Sequence, residues 1–386
     1  MPCSARTQSF TITWRPAIKV VTVLGTRPEI IRLSRTIVLL DESFEHVLVH
    51  TGQNSSFELN AVFFQELQIR KPDEFLNAST SSVASFLADS LVGIEKVLAS
   101  EKPDAFLILG DTNSALTAVI AKKLHIPIFH LEAGNRSFDA NVPEEANRRL
   151  IDHLADVNFP YSEAARRNLL AEGLEPRRTI LSGSPLREIL THYAEPIRNS
   201  GALDKAGVQP RKYFVVSAHR QENVDPPERL TQLIETLHRI RAHYQVPMLI
   251  STHPRTRDKI ERSGFRSDDD SIVFHEPFGF FDYVRLQQDA FCVLSDSGTL
   301  SEEAAIVGFP AVTMRAAIER PEAVETGVLV LGDVDFDRNV AGIDWIRRNW
   351  KGMEVPPEYH VANFSHRVVS AILSMAPSHQ FMSGIR

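Results

Sequence analysis

Short apolar runs alternate with amphipathic stretches along most of the chain. Residues 20–24 (VVTVL) read as a buried strand, and Gly25 separates them from a helix-like stretch over 28–40. Residues 47–50 repeat the strand signal. Val83, Phe86, Leu87, Leu91, Ile94 and Leu98 fall near i, i+3, i+4 spacing and predict a helix over 81–100. Strands follow at 106–109, 128–131 and 179–181, with helices at 115–124, 144–154 and 162–171. After a polar, non-periodic stretch over 192–211 the rhythm restarts. Strands read at 214–217, 248–252, 272–275, 291–294, 311–314 and 328–331, and helices at 228–244, 281–288, 301–307 and 321–325. Alternation at this spacing predicts parallel sheets covered on both faces. The chain therefore reads as α/β, with two Rossmann-type doubly wound domains and a cleft between them. The boundaries are an extension over 1–18, a first domain over 19–187 and a second over 188–365. A closing helix at 366–374 fits either domain by pattern alone.

Composition narrows the class. A length of 386 residues suits two or three domains. With 43% hydrophobic and 24% charged residues, disorder, collagen and a disulfide scaffold are excluded. Forty-two basic against forty-nine acidic side chains give a net charge of -7, which offers nucleic acid no global attraction. An anionic ligand must therefore be met by local arginines. Cys3 and Cys292 form no CxxC pair, which argues against redox cycling and a cysteine-held zinc and fits a reducing cytoplasm. No window reaches the length of a membrane span, and residues 1–18 lack the apolar core of a secretory signal.

Ligands of open α/β sheets bind beyond the carboxyl ends of the strands, and unusual polar residues stand at those ends here. Gly25-Thr26-Arg27-Pro28-Glu29 follows the first strand; it suits either an anion at a helix start or an ordinary turn with a surface arginine. Asp111 follows 106–109, where N-cap of the next helix is the plainer reading of a lone aspartate. Glu132 leaves an apolar strand, so its charge needs a partner or a task, and Asn135 or Arg136 could be that partner. Glu144 opens a helix whose Asn147 and Arg148 share its face. In the second half His219 stands at a strand end, as His253 does. Ser295-Asp296-Ser297-Gly298-Thr299 leads into a helix carrying Glu302 and Glu303, which suits a diphosphate cradle or a well-capped helix with dipole-compensating acids. Together these residues aim acids, histidines and arginines at one crevice, suggesting a nucleotide diphosphate ligand beside acid–base chemistry.

GTRPE (25–29), GDT (110–112), HLEAGNR (130–136), PEEANR (143–148), AHRQEN (218–223), SDSGT (295–299) and ERPEA (319–323) resemble the motifs of the non-hydrolysing UDP-N-acetylglucosamine 2-epimerases. The resemblance runs in order over roughly residues 19–370. It implies a GT-B-like fold, a C-terminal helix (366–386) that crosses back to the first domain, and a cytoplasmic homodimer. It also implies reversible interconversion of UDP-N-acetylglucosamine and UDP-N-acetylmannosamine through elimination and re-addition of UDP by way of 2-acetamidoglucal. Asp111, Glu132 and Glu144 are then the acid–base positions, with His219 near the diphosphate. Arg27, Ser297, Gly298, Glu303 and Arg320 would hold UDP, Glu303 on the ribose, Arg148 would line the sugar–phosphate region, and Arg32 is a further substrate- or UDP-binding position. No metal and no cofactor is required, and the substrate is a UDP-sugar, with neither nucleic acid nor membrane as a partner. The missing GxGxxG fingerprint agrees with a route free of NAD.

Three departures bear on substrate. Arg32 stands where the family usually has lysine, DSGT replaces DSGG, and the TGQH-type stretch reads Thr51-Gly52-Gln53-Asn54. With IRKPD (69–73), these features also resemble a branch that epimerises UDP-6-deoxy-L-talosamine-type sugars to UDP-N-acetyl-L-fucosamine, the alternative substrate. From other classes, a GT-B glycosyltransferase would need no pair of carboxylates such as Glu132 and Glu144, and a hydrolysing epimerase would release free sugar.

Overall fold

The computed structural model describes residues 18–53, 57–218, 220–251 and 271–385. Nearly all of the predicted extension, Asn54, His219 and His253 therefore lie outside the described residues. Six parallel strands form the first sheet: β1 (Lys19–Leu24), β2 (Glu45–His50), β3 (Glu74–Phe75), β4 (Ala105–Leu109), β5 (Ile128–Leu131) and β6 (Val157–Phe159). Their spatial order is β3-β2-β1-β4-β5-β6. The second sheet holds β7 (Phe214–Ser217), β8 (Met248–Ser251), β9 (Ile272–His275), β10 (Cys292–Ser295), β11 (Ala311–Thr313) and β12 (Val330–Leu331), in the order β12-β11-β10-β7-β8-β9.

Counted from its own first strand, each sheet has the doubly wound order 3-2-1-4-5-6, so the GT-B-like fold repeats one topology twice. The strands stay parallel, but the order in which they are added reverses between β1 and β4, and again between β7 and β10. The β1–β4 register pairs Thr22 with Leu107, and the β7–β10 register pairs Val216 with Leu294. All five residues of β4 are buried, so its sequence is continuously apolar where a one-faced strand would alternate.

The helix Arg27–Ser43 starts in a capping box between Thr26 and Glu29 with Pro28 in its first turn. Its Leu33, Ile37 and Leu40 pack in one core with Phe364, Val368 and Ile372 of the helix Phe364–Met375. Thr36 and Ser365 join the two helices by a 3.2 Å hydroxyl contact. The closing helix thus lies on the first sheet's layer.

Several predicted elements differ. Residues 179–181 are no strand: Thr179 makes a single bridge to Asn158, and β6 supplies the sixth strand instead. The stretch over 192–211 contains the short helices Ala194–Arg198 and Ala202–Ala206, after Leu186–His192. Buried Tyr193, Ile197 and Ala202 anchor these turns, too short for a periodic signal. Residues 115–124 divide into a 3-10 turn, Asn113–Thr117, and the helix Ala118–Lys123. Residues 301–307 divide into a short helix, Leu300–Glu303, and a π turn, Ala304–Gly308, a distortion common beside functional sites. The helix Phe336–Asn349 escaped the pattern altogether; Asp335 caps it by accepting from the Arg338 N–H at 2.8 Å.

Candidate active site

The turn after β1 is held from behind. A Cβ on Gly25 would lie 2.1 Å from Ser114 Oγ and 2.2 Å from Thr51 Oγ1, so only glycine fits there. Gln53 Oε1 accepts from the Ser114 N–H and hydroxyl at 3.1 and 2.8 Å, which commits Thr51 and Gln53 to supporting this turn. Glu29 ties it to the next strand end: its carboxylate accepts from the Gly25 and Thr26 N–H groups at 2.8 and 2.7 Å and from Thr112 Oγ1 at 2.7 Å. Burial pushes the Glu29 carboxyl up to about 7, against these donors, which favour its charged form.

Across the cleft, four side chains close a ring of alternating charge. Arg32 Nη1 lies 3.3 Å from Glu132 Oε2, and Arg32 Nη2 donates to Glu302. Arg320 donates to the same two acids, at 2.6 Å to Glu302, and also to the Gly298 carbonyl at 3.0 Å. Arg32 and Glu132 come from the first domain, Glu302 and Arg320 from the second. Glu132 has a positive φ of 66°, a strained conformation for a non-glycine residue of the kind found at functional sites. Its carboxyl is raised above the usual range by burial, helped by Glu302 and Asp111 and opposed by Arg32 and Arg320. Burial alone would lower Arg32 and Arg320, but the two carboxylates more than offset it, so both guanidiniums stay charged.

Glu132 finds its partners in Arg32 and Arg320, not in the Asn135 or Arg136 that the sequence suggests. Arg136 instead pairs with Asp152 at 2.7 Å and with Glu172 at 2.7 Å, below the site. Asp152 also faces His130 Nδ1 at 3.0 Å, while His130 Nε2 lies 2.9 Å from the Gly110 carbonyl. Burial works against a charge on His130, but Asp152 and the Gly110 carbonyl raise it above the usual imidazole range, and the ring supports the loop carrying Asp111.

Asp111 is not an N-cap. Its Oδ2 accepts from Arg148 Nε at 2.7 Å, and Asn147 Nδ2 donates to its carbonyl at 2.9 Å. Arg148 also reaches Glu145 at 2.9 Å and, from the other domain, Glu319 at 3.2 Å. The paired acids at the start of the helix Glu144–Leu154 therefore divide: Glu145 is spent on Arg148 and the Ser137 N–H, while Glu144 faces the cleft, 3.9 Å from Arg220. Glu319 is gripped by Arg315 at 2.7 and 2.9 Å; burial would raise its carboxyl, but Arg315, Arg220 and Arg148 hold it well below the usual range.

The loop after β10 is less open to an anion than its sequence suggests. The Ser297 N–H donates to Ser295 Oγ at 3.0 Å, the Thr299 N–H to Ser297 Oγ at 3.3 Å, and the following helix has four residues. Arg320 and Arg220 bring the positive charge instead. Asp296 fixes the facing turn by accepting from the Arg220 N–H at 3.0 Å and Asn223 at 3.1 Å.

Two adjoining cavities result. The larger, about 380 Å³, is lined by Asp111, Glu132 and Glu144 from the first domain and Ser297, Gly298 and Arg320 from the second. Arg32, Arg148 and Arg220 also reach it. The smaller, about 140 Å³, is more apolar and is bounded by Arg27, Phe63, Phe278, Tyr283 and Glu303. Arg27 sits 5.5 Å from the centre of the Phe63 ring. Thr299 and Gln287 each donate to Glu303 at 2.6 Å. Every predicted site residue except His219, which lies outside the described residues, thus lines one of the two cavities. Glu29, Glu302 and Glu319 also belong to the site; Glu29 and Glu302 stand in the first turn of a helix and Glu319 three residues before one, where an acid carries no distinctive signal in sequence. Among the described residues no cluster of acids, histidines and cysteines is placed to hold a metal, and no helix is long and apolar enough to cross a membrane.

Comparison with known proteins gives a consistent result. The family model described as UDP-N-acetylglucosamine 2-epimerase matches residues 39–373. The UDP-N-acetylglucosamine 2-epimerase of Methanocaldococcus jannaschii is 36% identical over 345 residues, 86% of this chain and 94% of that protein. The UDP-2,3-diacetamido-2,3-dideoxy-D-glucuronate 2-epimerase of Pseudomonas aeruginosa is 36% identical over 81% of this chain and 88% of its own. Among solved structures, the UDP-N-acetylglucosamine 2-epimerase of Rickettsia bellii superposes with a TM-score of 0.90 at 41% identity, covering 96% of this chain and 100% of its own. The M. jannaschii enzyme in complex with UDP-GlcNAc and UDP has a TM-score of 0.88 at 33% identity, covering 93% and 100%.

Proposed function

The chain belongs to the UDP-N-acetylglucosamine 2-epimerase family, and from that premise we propose that it reversibly interconverts UDP-N-acetylglucosamine and UDP-N-acetylmannosamine without hydrolysing them. The observation that carries this reading is the larger cavity, where three first-domain carboxylates share a wall-to-wall space with the guanidinium of Arg320 and the Ser297-Gly298 turn. In the forward direction a carboxylate takes the C2 proton, the C2–H electrons form the C1=C2 bond, and the C1–O bond breaks with its electrons leaving on UDP. The products at that point are 2-acetamidoglucal and UDP. A second carboxylate then protonates C2 on the opposite face, and the UDP oxygen re-forms the bond to C1. Because the reaction runs both ways, acid and base exchange roles with direction.

In this reading Asp111, Glu132 and Glu144 carry the proton transfers, with His219 near the diphosphate. The C2 hydrogen is weakly acidic, so stabilising the departing diphosphate must lower much of the barrier. Arg320 and Arg220 supply the charge for that part with Ser297 and Gly298 beside the diphosphate, Arg27 and Glu303 hold the nucleoside end in the smaller cavity, and Glu303 accepts from the ribose hydroxyls. Arg148 and Arg32 act chiefly on protein carboxylates, Arg148 on Asp111 and Arg32 on Glu132, which supports an orienting role for both. The proposal includes a cytoplasmic homodimer, a division of the chain at 187–188 and a place in polysaccharide biosynthesis, as the resemblance implies. The UDP-N-acetyl-L-fucosamine-forming branch is not favoured, because UDP-N-acetylglucosamine 2-epimerases recur among both the relatives and the solved structures of high coverage.

The test is an incubation with UDP-N-acetylglucosamine in deuterium oxide, followed by NMR of the products. The expected product is UDP-N-acetylmannosamine with deuterium at C2. An epimer without solvent deuterium would count against elimination and re-addition, and free N-acetylmannosamine would indicate the hydrolysing reaction.

A further inference from the structure

Glu302 has no task in the mechanism above, yet its side chain is fully buried and lies between the two arginines that also hold Glu132. We propose that Glu302 is a positioning residue for Glu132: reaching across from the second domain, it shares Arg32 and Arg320 with Glu132 and so sets how readily Glu132 carries a proton. The inference rests on the epimerase reading for its consequence in catalysis, but its geometry stands by itself.

Charge balance within the ring couples the two acids. The ring contains two guanidiniums and two carboxylates, and each arginine touches both acids. Facing Glu132 are Arg32 from the first helix, Asp111 from the end of β4, Tyr161 after β6, and Arg320 and Glu302 from the second domain. Facing Glu302 are the same two arginines, Glu132, Tyr161, and the pair Glu322–Tyr359, in which the Tyr359 hydroxyl donates to Glu322 at 2.8 Å. With Glu302 charged, the ring is neutral and Glu132 competes for its cations. With Glu302 neutralised, both guanidiniums turn wholly to Glu132, whose ionised form is then favoured and whose strength as a base falls. Arg32 suits this sharing because a planar fork can reach two carboxylates at once, which the ammonium of lysine does less well.

The experiment follows the carboxyl carbon of Glu132 by 13C NMR in glutamate-labelled full-length protein with UDP present, the line being assigned with Glu132→Gln. In Glu302→Gln the midpoint of that line is expected to move down by about 1 to 2 pH units. In Glu302→Asp, which keeps the charge, it stays near its original position. The double variant Glu302→Gln/Arg32→Gln restores neutrality and brings the midpoint back up, and it remains testable if the single variant fails to fold from unbalanced charge. The limb of the kcat–pH profile governed by Glu132 shifts in the same sense. An unmoved Glu132 line in folded Glu302→Gln, an equal shift in Glu302→Asp, or no return in the double variant would overturn the proposal. Absence of turnover in the unaltered protein would count against the epimerase reading alone, since the titration is read without turnover.

Discussion

The two domains repeat one strand order, yet their strand ends bear different chemistry. In the first, the loops beyond β4 and β5 present Asp111 and Glu132, and the next helix presents Glu144. In the second, the loops beyond β7 and β10 present Arg220 and the Ser297-Gly298 turn, with Arg320 beyond β11. Identical topology therefore fixes where groups stand, and the residue at each strand end decides what they do. One domain supplies proton carriers; the other supplies a grip for a nucleoside diphosphate. The division is not complete, because Arg32 and Arg148 from the first domain and Glu302 and Glu319 from the second cross to opposite partners. Those crossings join the two sets of groups into one site.

The sharpest way to break the contrast is to remove proton carriers without touching the grip. Glu132→Gln and Asp111→Asn are each expected to lower kcat by about 10² to 10⁴-fold, the range for loss of a positioned general acid or base. UDP affinity by calorimetry should change little in both. Turnover within a few-fold of the original would remove the altered residue from the chemistry.

The complementary change lies in the second domain. Glu303→Ala removes a carboxylate bordering the smaller cavity and held by Thr299 and Gln287. Loss of charged hydrogen bonds to ligand costs about 1.5–3 kcal/mol, or roughly ten- to a hundredfold in UDP affinity. The deuterium incorporated per turnover should not change. If affinity holds while turnover collapses, Glu303 belongs with the proton carriers and the contrast between domains fails.

Much of this contrast was legible in the chain. Long apolar runs such as 20–24 and 106–109 read correctly because strands buried on both faces need no alternation. β6 was missed because Asn158 interrupts its apolar run of three, a polar residue satisfied only through Asp152 and His130 in three dimensions. The helix Phe336–Asn349 was missed because its buried positions include Asn339 and Gly342, which carry no hydrophobic signal. The individual site residues were visible at strand and helix ends, but their pairings were not. Arg32 and Glu302 are 270 residues apart, and Arg148 and Glu319 are 171 apart, so no local pattern distinguishes these buried acids from solvated helix-start acids.

The smallest expected effect concerns how the two domains are held to each other. Glu66, at the end of the first-domain helix Phe57–Glu66, accepts from the Phe280 and Phe281 N–H groups, each at 2.9 Å. It thereby caps the second-domain helix Phe280–Gln288 from outside that domain, at an end where a negative charge is favoured. Gly279 stands close: a Cβ there would come within 3.1 Å of both Glu66 oxygens. Phe278, Phe280 and Tyr283 of this same segment border the smaller cavity. Glu66→Ala should therefore cost about 1 kcal/mol, felt where the nucleoside end binds and not where protons move. The expected outcome is a rise in KM of roughly fivefold with kcat nearly unchanged, converted from that cost. A fall in kcat with KM unmoved would show that the contact governs the chemistry of the first domain, and the separation of roles between the two sheets would have to be redrawn.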